Sequence, residues 1–182
     1  MNVKPAIKLV EKAMQTGEYR YAIRADIKSY YASISHDILI KQVNQHFDDP
    51  RIQHYLQAII TTAVDDGGRV FRPEKGIPRR SSLSPFFGAL YLSPLDEAFS
   101  RKTSGAYVRY MDDLIILTKT KRQFKKARKT LFSILRQLKL TLSPSKTWMG
   151  EIKHGYHFLG VKFDVPQSHQ SQSQVSVAIH PR

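Results

Sequence analysis

The 182-residue sequence contains no cysteine. That excludes a disulfide framework, a thiolate zinc site and a cysteine nucleophile. It has no apolar run near the ~18 residues a membrane span needs. Its first residues, MNVKPAIKLVEKAMQ, alternate charged with apolar positions and lack the apolar core of a signal peptide. Acidic residues are scarce: fifteen Asp and Glu face twenty-nine Lys and Arg, a net charge of +14. An excess of that size fits a polyanionic partner such as nucleic acid or an anionic surface, and says nothing about fold. Hydrophobic residues at 41% and charged residues at 24% are those of a globular chain. A cytoplasmic protein that faces nucleic acid and no membrane is the expectation.

The periodicities predict a compact order of elements. Ile7, Val10 and Met14 mark an amphipathic helix over 4–15, stopped by Gly17. Tyr19 to Asp26 alternates as a strand. Ser35 caps a helix to about Gln45, and Asp49-Pro50 opens another, with Ile52, Tyr55, Leu56, Ile59 and Ile60 on its apolar face. Asp65 to Gly68 reads as a turn, followed by a loop from Arg69 to Ser82. Ser84-Pro85 starts a helix to about Phe99, kinked at Pro94. Tyr107–Met111 and Leu114–Thr118 read as a hairpin around Asp112-Asp113. Phe124, Ala127, Leu131, Ile134, Leu135 and Leu138 form a second helical stripe, and strands are expected at Leu140–Leu142, Trp148 and Phe158–Phe163. The polar run QSHQSQSQ makes 164–182 a tail without fixed structure. The fold class is α+β, a mostly antiparallel sheet with helices packed on one face.

Asp112-Asp113 is the most informative dipeptide. Aspartate is an ordinary turn residue, yet a tight hairpin favours Asn-Gly or Asp-Gly. Two adjacent carboxylates at the end of a buried hairpin repel unless a cation neutralises them. A third carboxylate, Asp26, ends the other predicted strand. Hard divalent ions take oxygen ligands and leave room for substrate phosphates. Two of them, roughly 3.5–4 Å apart, activate an attacking hydroxyl and stabilise a leaving phosphate. Asp26 and Asp112 from neighbouring strands, with Asp113 beside them, supply such a site for Mg²⁺ or Mn²⁺.

Tyr110-Met111-Asp112-Asp113 matches the YxDD signature of reverse transcriptases, and the likeness extends through five motifs in that family's order, over residues 19–163. Asp26-Ile27-Lys28-Ser29-Tyr30-Tyr31 resembles the first catalytic motif. Gly76 to Pro85 resembles the loop and helix that cradle template and incoming nucleotide. Leu140-Thr141-Leu142-Ser143 with Lys146-Thr147 resembles the fourth motif, and Phe158-Leu159-Gly160 the primer-grip hairpin. The style is closest to bacterial group II intron-like and retron-like members. The resemblance implies a polymerase palm over 1–163, with Asp26, Asp112, Asp113 and the Ile27 carbonyl at the metals. It implies Tyr31, Arg79, Arg80 and Lys146 at the nucleotide. The aromatic Tyr31 favours deoxynucleotides, and Lys146 acts at the pyrophosphate. The implied partners are an RNA template, a DNA or RNA primer and dNTPs.

Two features depart from the family pattern. Only 25 residues precede Asp26 and about 20 follow Phe163, so fingers and thumb are expected to be largely absent, with a separate segment or self-association completing the palm. Arg80 stands where the family carries glycine, a residue suited to close backbone approach, so its long charged side chain either obstructs the nucleotide or contacts phosphate. Two basic clusters complete the pattern. Arg69, Arg72 and Lys75 adjoin Arg79 and Arg80, and Lys119–Lys129 holds seven cations and no acid, among them Lys121, Arg122, Lys125 and Lys126. Both read as surfaces that track template or primer, the second equally as a solvated helix face. The seven histidines show no ligand spacing and read as structural. The leading function is RNA-directed DNA polymerisation with two Mg²⁺ ions. Its rival is a silent palm remnant that binds RNA or DNA.

Overall fold

Strand β1 (Tyr21–Asp26) is hydrogen-bonded along both edges, to β5 (Asp113–Thr118) on one side and β6 (Trp148–Glu151) on the other. β4 (Gly105–Tyr110) pairs with β5, giving an antiparallel sheet of order β4-β5-β1-β6. The computed structural model from which this is read describes residues 3–78, 81–100, 105–163 and 178–179. These residues fall into two compact units. The first comprises Met1–Ile27, Glu97–Ser133 and Leu142–Arg182, the second Lys28–Asp96 and Ile134–Thr141.

The register of the first unit assigns every strand residue to a face. Ala22 lies opposite Leu117, Arg24 opposite Ile115 and Asp26 opposite Asp113, while Val108 lies opposite Ile115 and Tyr110 opposite Asp113. Side chains alternate along a strand, so these residues share one face. That face is buried under α1 (Lys4–Gln15), through Ala6 and Val10, and under the hairpin β7 (Tyr156–Phe158) and β8 (Val161–Phe163). The opposite face carries Tyr21, Ile23, Leu114 and Ile116. There Tyr21 meets Phe124 of α7 (Lys121–Gln137) at 5.5 Å, and Phe99, near the end of α6 (Ser93–Ser100), stacks on Tyr107 at 5.3 Å. Two covered faces explain why β1 reads as a near-continuous apolar run interrupted at Arg24 and Asp26.

Helix α7 starts with a reciprocal cap. The Gln123 N–H donates to Thr120 Oγ1 at 3.2 Å, and Gln123 Oε1 accepts from the Thr120 and Lys119 N–H groups. Its apolar residues Ala127, Leu131 and Leu135 are buried at the expected helical spacing.

In the second unit, one-turn α2 (Tyr30–Ser33) precedes α3 (His36–His46) and α4 (Pro50–Ile60). Asp49 caps α4 through the Arg51 N–H at 2.8 Å. The hairpin of β2 (Val64–Asp66) and β3 (Arg69–Phe71) replaces the expected turn and part of the expected loop. Only Gly67 and Gly68 form the turn, with φ of 62° and 91°, the backbone a two-residue hairpin requires. The single helix expected from Ser84 is two, α5 (Ser84–Tyr91) and α6, broken at Leu92, with Pro94 in the first turn of α6 where its missing N–H is harmless. Buried Tyr91 ties this unit together. Its hydroxyl donates to the Leu138 carbonyl at 2.7 Å and accepts the Ser35 N–H at 3.2 Å.

Three further expectations are corrected. Leu140–Leu142 is not a strand, because Leu142 makes only an isolated bridge to Ile27. β1 begins at Tyr21 rather than Tyr19. Within the expected tail, β9 (Ala178–Ile179) pairs with β8, and the rest of 164–182 lies outside the described residues.

Candidate active site

A cleft of about 390 Å³ opens at the end of the sheet in the first unit. Its walls include Arg24, Asp26, Tyr110, Met111, Asp112, Asp113, Lys146, Leu159 and Gly160. β1 supplies Asp26, which is 7% exposed. The β4–β5 turn supplies the other two acids. That turn falls one residue earlier than the sequence implied. Only Met111 and Asp112 lie between the strands, and Asp113 is the first residue of β5. Met111 takes a left-handed φ of 56°, which is strained for a side chain of its size, and Arg109 Nη1 donates to the Met111 carbonyl at 2.9 Å. Asp113, not Asp112, is therefore the cross-strand partner of Asp26 on the same face of the sheet.

The electrostatics follow from that placement. Burial pushes the Asp113 carboxyl up from its ordinary range. The charges of Asp26 and then Asp112 push the same way, and Arg24 and Lys146 oppose them. Lys146 ends a short 3-10 turn (Pro144–Lys146), and its ammonium lies 3.4 Å from Asp26 Oδ1, a long contact from an exposed side chain. The Ser143 N–H donates to the Asp26 carbonyl at 2.8 Å, which fixes that turn against the end of β1. Among the described residues no three His, Asp or Glu side chains close on one point as a ready-made metal cage. Mutual repulsion of three carboxylates opposes such closure in the absence of a cation. The donor set nonetheless fits a hard divalent ion: three carboxylates, room in the cleft, and an acid whose ionised form is disfavoured by its neighbours.

Arg24 was not singled out by sequence reasoning. It stands two residues before Asp26 and thus on the same face, which was the available signal. Its Nε is buried without a hydrogen-bond partner among the described residues.

Of the other expected site residues, Leu159 and Gly160 reach the cleft as the β7–β8 turn, with φ of 50° and 81°. Phe158 does not line it. That ring is fully buried in the core and anchors the hairpin. Ile27 is buried and bridged to Leu142. Lys121, Arg122, Lys125 and Lys126 are exposed on α7, across the sheet from the cleft. Tyr31, Arg72 and Lys75 belong to the second unit. There Tyr31 packs on Tyr30 at 5.3 Å, and both rings crowd Gly88, where an added Cβ would stand 3.2 Å from Tyr31 Cε1. The segment leading to Pro78 is stitched to α2 and α3. The Gly76 N–H donates to Ile34 at 2.7 Å, the Ile77 N–H to Tyr31 at 2.9 Å, and His36 Nε2 to the Gly76 carbonyl at 2.6 Å, a structural use of a histidine. Arg69 lies in β3. Arg79 and Arg80 lie outside the described residues.

Known proteins are similar to this chain. Solved telomerases have the same fold. The Candida tropicalis enzyme truncated from its C-terminal domain superposes with a TM-score of 0.69 at 18% identity, over 89% of this chain and 38% of that one. The Candida albicans enzyme, in complex with a TWJ fragment of telomeric RNA, gives 0.71 at 15% identity, over 90% and 33%. Protein YkfC of Escherichia coli K12 is 25% identical over 190 residues, covering 86% of this chain and 50% of that protein. The putative COX1/OXI3 intron 1 protein of Saccharomyces cerevisiae is 25% identical over 81 residues, covering 44% of this chain and 10% of that protein. This chain thus spans half or less of the length of these relatives. The pattern of the reverse transcriptase (RNA-dependent DNA polymerase) family matches residues 2–163, and the chain belongs to that family.

Proposed function

We propose that residues 1–163 form the palm of an RNA-directed DNA polymerase that extends a primer 3′-hydroxyl with dNTPs on an RNA template. One observation carries this reading. Asp26 and Asp113 are directly paired across β1 and β5, on one face of the sheet, in a cleft that Asp112 and Lys146 also line. A module that only binds nucleic acid has no use for three acids gathered beneath a net charge of +14.

Asp26 and Asp112 would hold the divalent ions, and Asp113, whose carboxyl burial and then the two neighbouring charges push up, would support them. When bound, two Mg²⁺ or Mn²⁺ ions supply a lowered pKa at the primer hydroxyl and neutralise the leaving pyrophosphate. The chain's own residues supply position and charge, which dominate phosphoryl transfer. Lys146 leaves Asp26 for the pyrophosphate and donates hydrogen bonds, or a proton, to it. The Leu159–Gly160 turn, held by buried Phe158, sets the primer end. By the resemblance, Tyr31 would exclude a ribose 2′-hydroxyl and Arg79 would meet the nucleotide's phosphates, while Arg80, where the family carries glycine, would either contact phosphate or obstruct the nucleotide.

The test has two readouts. Mn²⁺ or Mg²⁺ raises the melting temperature of the folded chain by mass action, and Asp112→Asn weakens that rise. Primer extension on an RNA template is abolished by Asp112→Ala. A melting temperature that ignores divalent ions removes the metal-site reading. Unchanged nucleic-acid binding with no extension under any divalent ion favours the silent-remnant reading instead.

A further inference from the structure

We infer that the solvent face of α7 is a second nucleic-acid site, separate from the catalytic cleft, and that its partner is a folded RNA with unpaired bases. The face carries Lys121, Arg122, Lys125, Lys126, Arg128 and Lys129, all exposed, and the helix contains no acid. Among the described residues none of these six makes an ion pair, and the nearby carboxylate of Glu151 is already paired with Lys153 at 2.6 Å.

A merely solvated helix face does not look like this. Lys121 and Arg122 sit in the first turn, where cations oppose the helix macrodipole. Lys121 and Lys125, Arg122 and Lys126, and Lys125 and Lys129 stand four apart, as like charges that repel. The reciprocal cap at Thr120 and Gln123 and the buried stripe of Ala127 and Leu131 hold the helix against that repulsion. Phosphates relieve it, and each neutralised phosphate releases counterions.

Phe132 selects the kind of nucleic acid. It is 46% exposed, with Arg128 and Lys129 one turn before it on the same face. At helical spacing it falls inside the basic stripe rather than on the apolar side with Leu131. An aromatic ring among cations is the stacking platform of proteins that hold unpaired bases. A regular duplex hides its bases from such a ring, whereas RNA loops and bulges present them.

The sheet separates this face from the chemistry. α7 packs on the Tyr21 and Ile116 side, through Phe124 and Ala127, while Asp26 and Asp113 lie on the other side with α1 and the β7–β8 hairpin. An RNA on α7 is therefore bound in addition to the template and primer. It tethers the protein to a structured transcript while the cleft stays open.

Fluorescence anisotropy with a labelled RNA hairpin that has an unpaired loop tests this on the whole chain. Arg122→Gln/Lys125→Gln/Lys129→Gln is expected to weaken binding roughly tenfold or more and to flatten its dependence on log salt by about 2–3. Phe132→Ala is expected to weaken the looped hairpin but not the same stem as a blunt duplex. Acetylation footprinting of the unaltered protein guards against a variant that misfolds: bound hairpin should protect Lys125 and Lys129. Unchanged hairpin affinity in the triple variant, or no protection of these lysines, overturns the proposal whatever happens at the cleft. So does capture of anionic vesicles through these residues with RNA binding intact. The divalent-ion melting shift is expected to be the same in the triple variant, so failure here is distinguishable from failure of the polymerase reading.

Discussion

At Asp113, burial and two neighbouring carboxylates act on one side chain in the same direction. A carboxyl whose pKa is raised on folding holds its proton more tightly in the native state. In metal-free protein its contribution to stability is therefore greatest at low pH and falls as pH rises from about the unfolded value toward the raised native one. Asp113→Asn should thus raise the metal-free melting temperature, by roughly 2–4 °C for each kcal/mol of repulsion relieved. The gap over the parent should widen as pH climbs from 4 to 7 in calorimetry and close when divalent ion is added. A gap that is constant with pH would point to a different cause. Tyr156 presents the complementary case. Its hydroxyl is buried without a partner among the described residues, burial pushes its pKa up, and its ring stacks on Trp148 at 5.9 Å and Phe163 at 5.1 Å. Tyr156→Phe keeps the stack and removes the orphaned donor, so it should be neutral or stabilising by about 1 kcal/mol in urea unfolding.

At Gly105 of β4 an added Cβ would stand 2.5 Å from the Leu117 carbonyl oxygen. Backbone cannot yield as a side-chain tip does, so Gly105→Ala should destabilise by about 1–3 kcal/mol. Thr120→Ala removes half of the α7 cap and should cost about 1 kcal/mol, with the lost ellipticity concentrated in the first turn of that helix. These elements differ in how well the sequence announced them. α7 was legible from apolar residues at 3.6 spacing, and α4 from that spacing together with its Asp49-Pro50 start. The β4–β5 hairpin was legible from β-prone runs around Asp112-Asp113, but its turn was assigned one residue late. The pattern of apolar residues cannot show that Met111 takes a left-handed φ and hands Asp113 to the strand. The β2–β3 hairpin was hidden because its strands are three residues each and carry no alternation to read. Asp26 and the Asp112-Asp113 pair were legible as a candidate site through motif order. Their joint face, and Arg24 beside them, became visible only through the register.

The whole molecule carries +14, and its association with nucleic acid should be mainly electrostatic. Affinity for a template–primer duplex should fall roughly tenfold or more between 50 and 200 mM salt if several phosphates are engaged. A flat salt dependence in a filter-binding titration would contradict both the polymerase reading and the α7 site. Opening motions should be distributed just as unevenly. β1 is paired on both edges from Tyr21 to Arg24, so the amides there are expected to exchange with solvent deuterium only through global unfolding. The three-residue β7 and β8 strands pair with each other and with two-residue β9, away from the main ladder. Their amides should exchange through smaller, more frequent openings. The floor of the cleft and the turn at its rim would then live on different clocks: a doubly paired strand that leads into its aspartate, beside a hairpin free to lift and reseat.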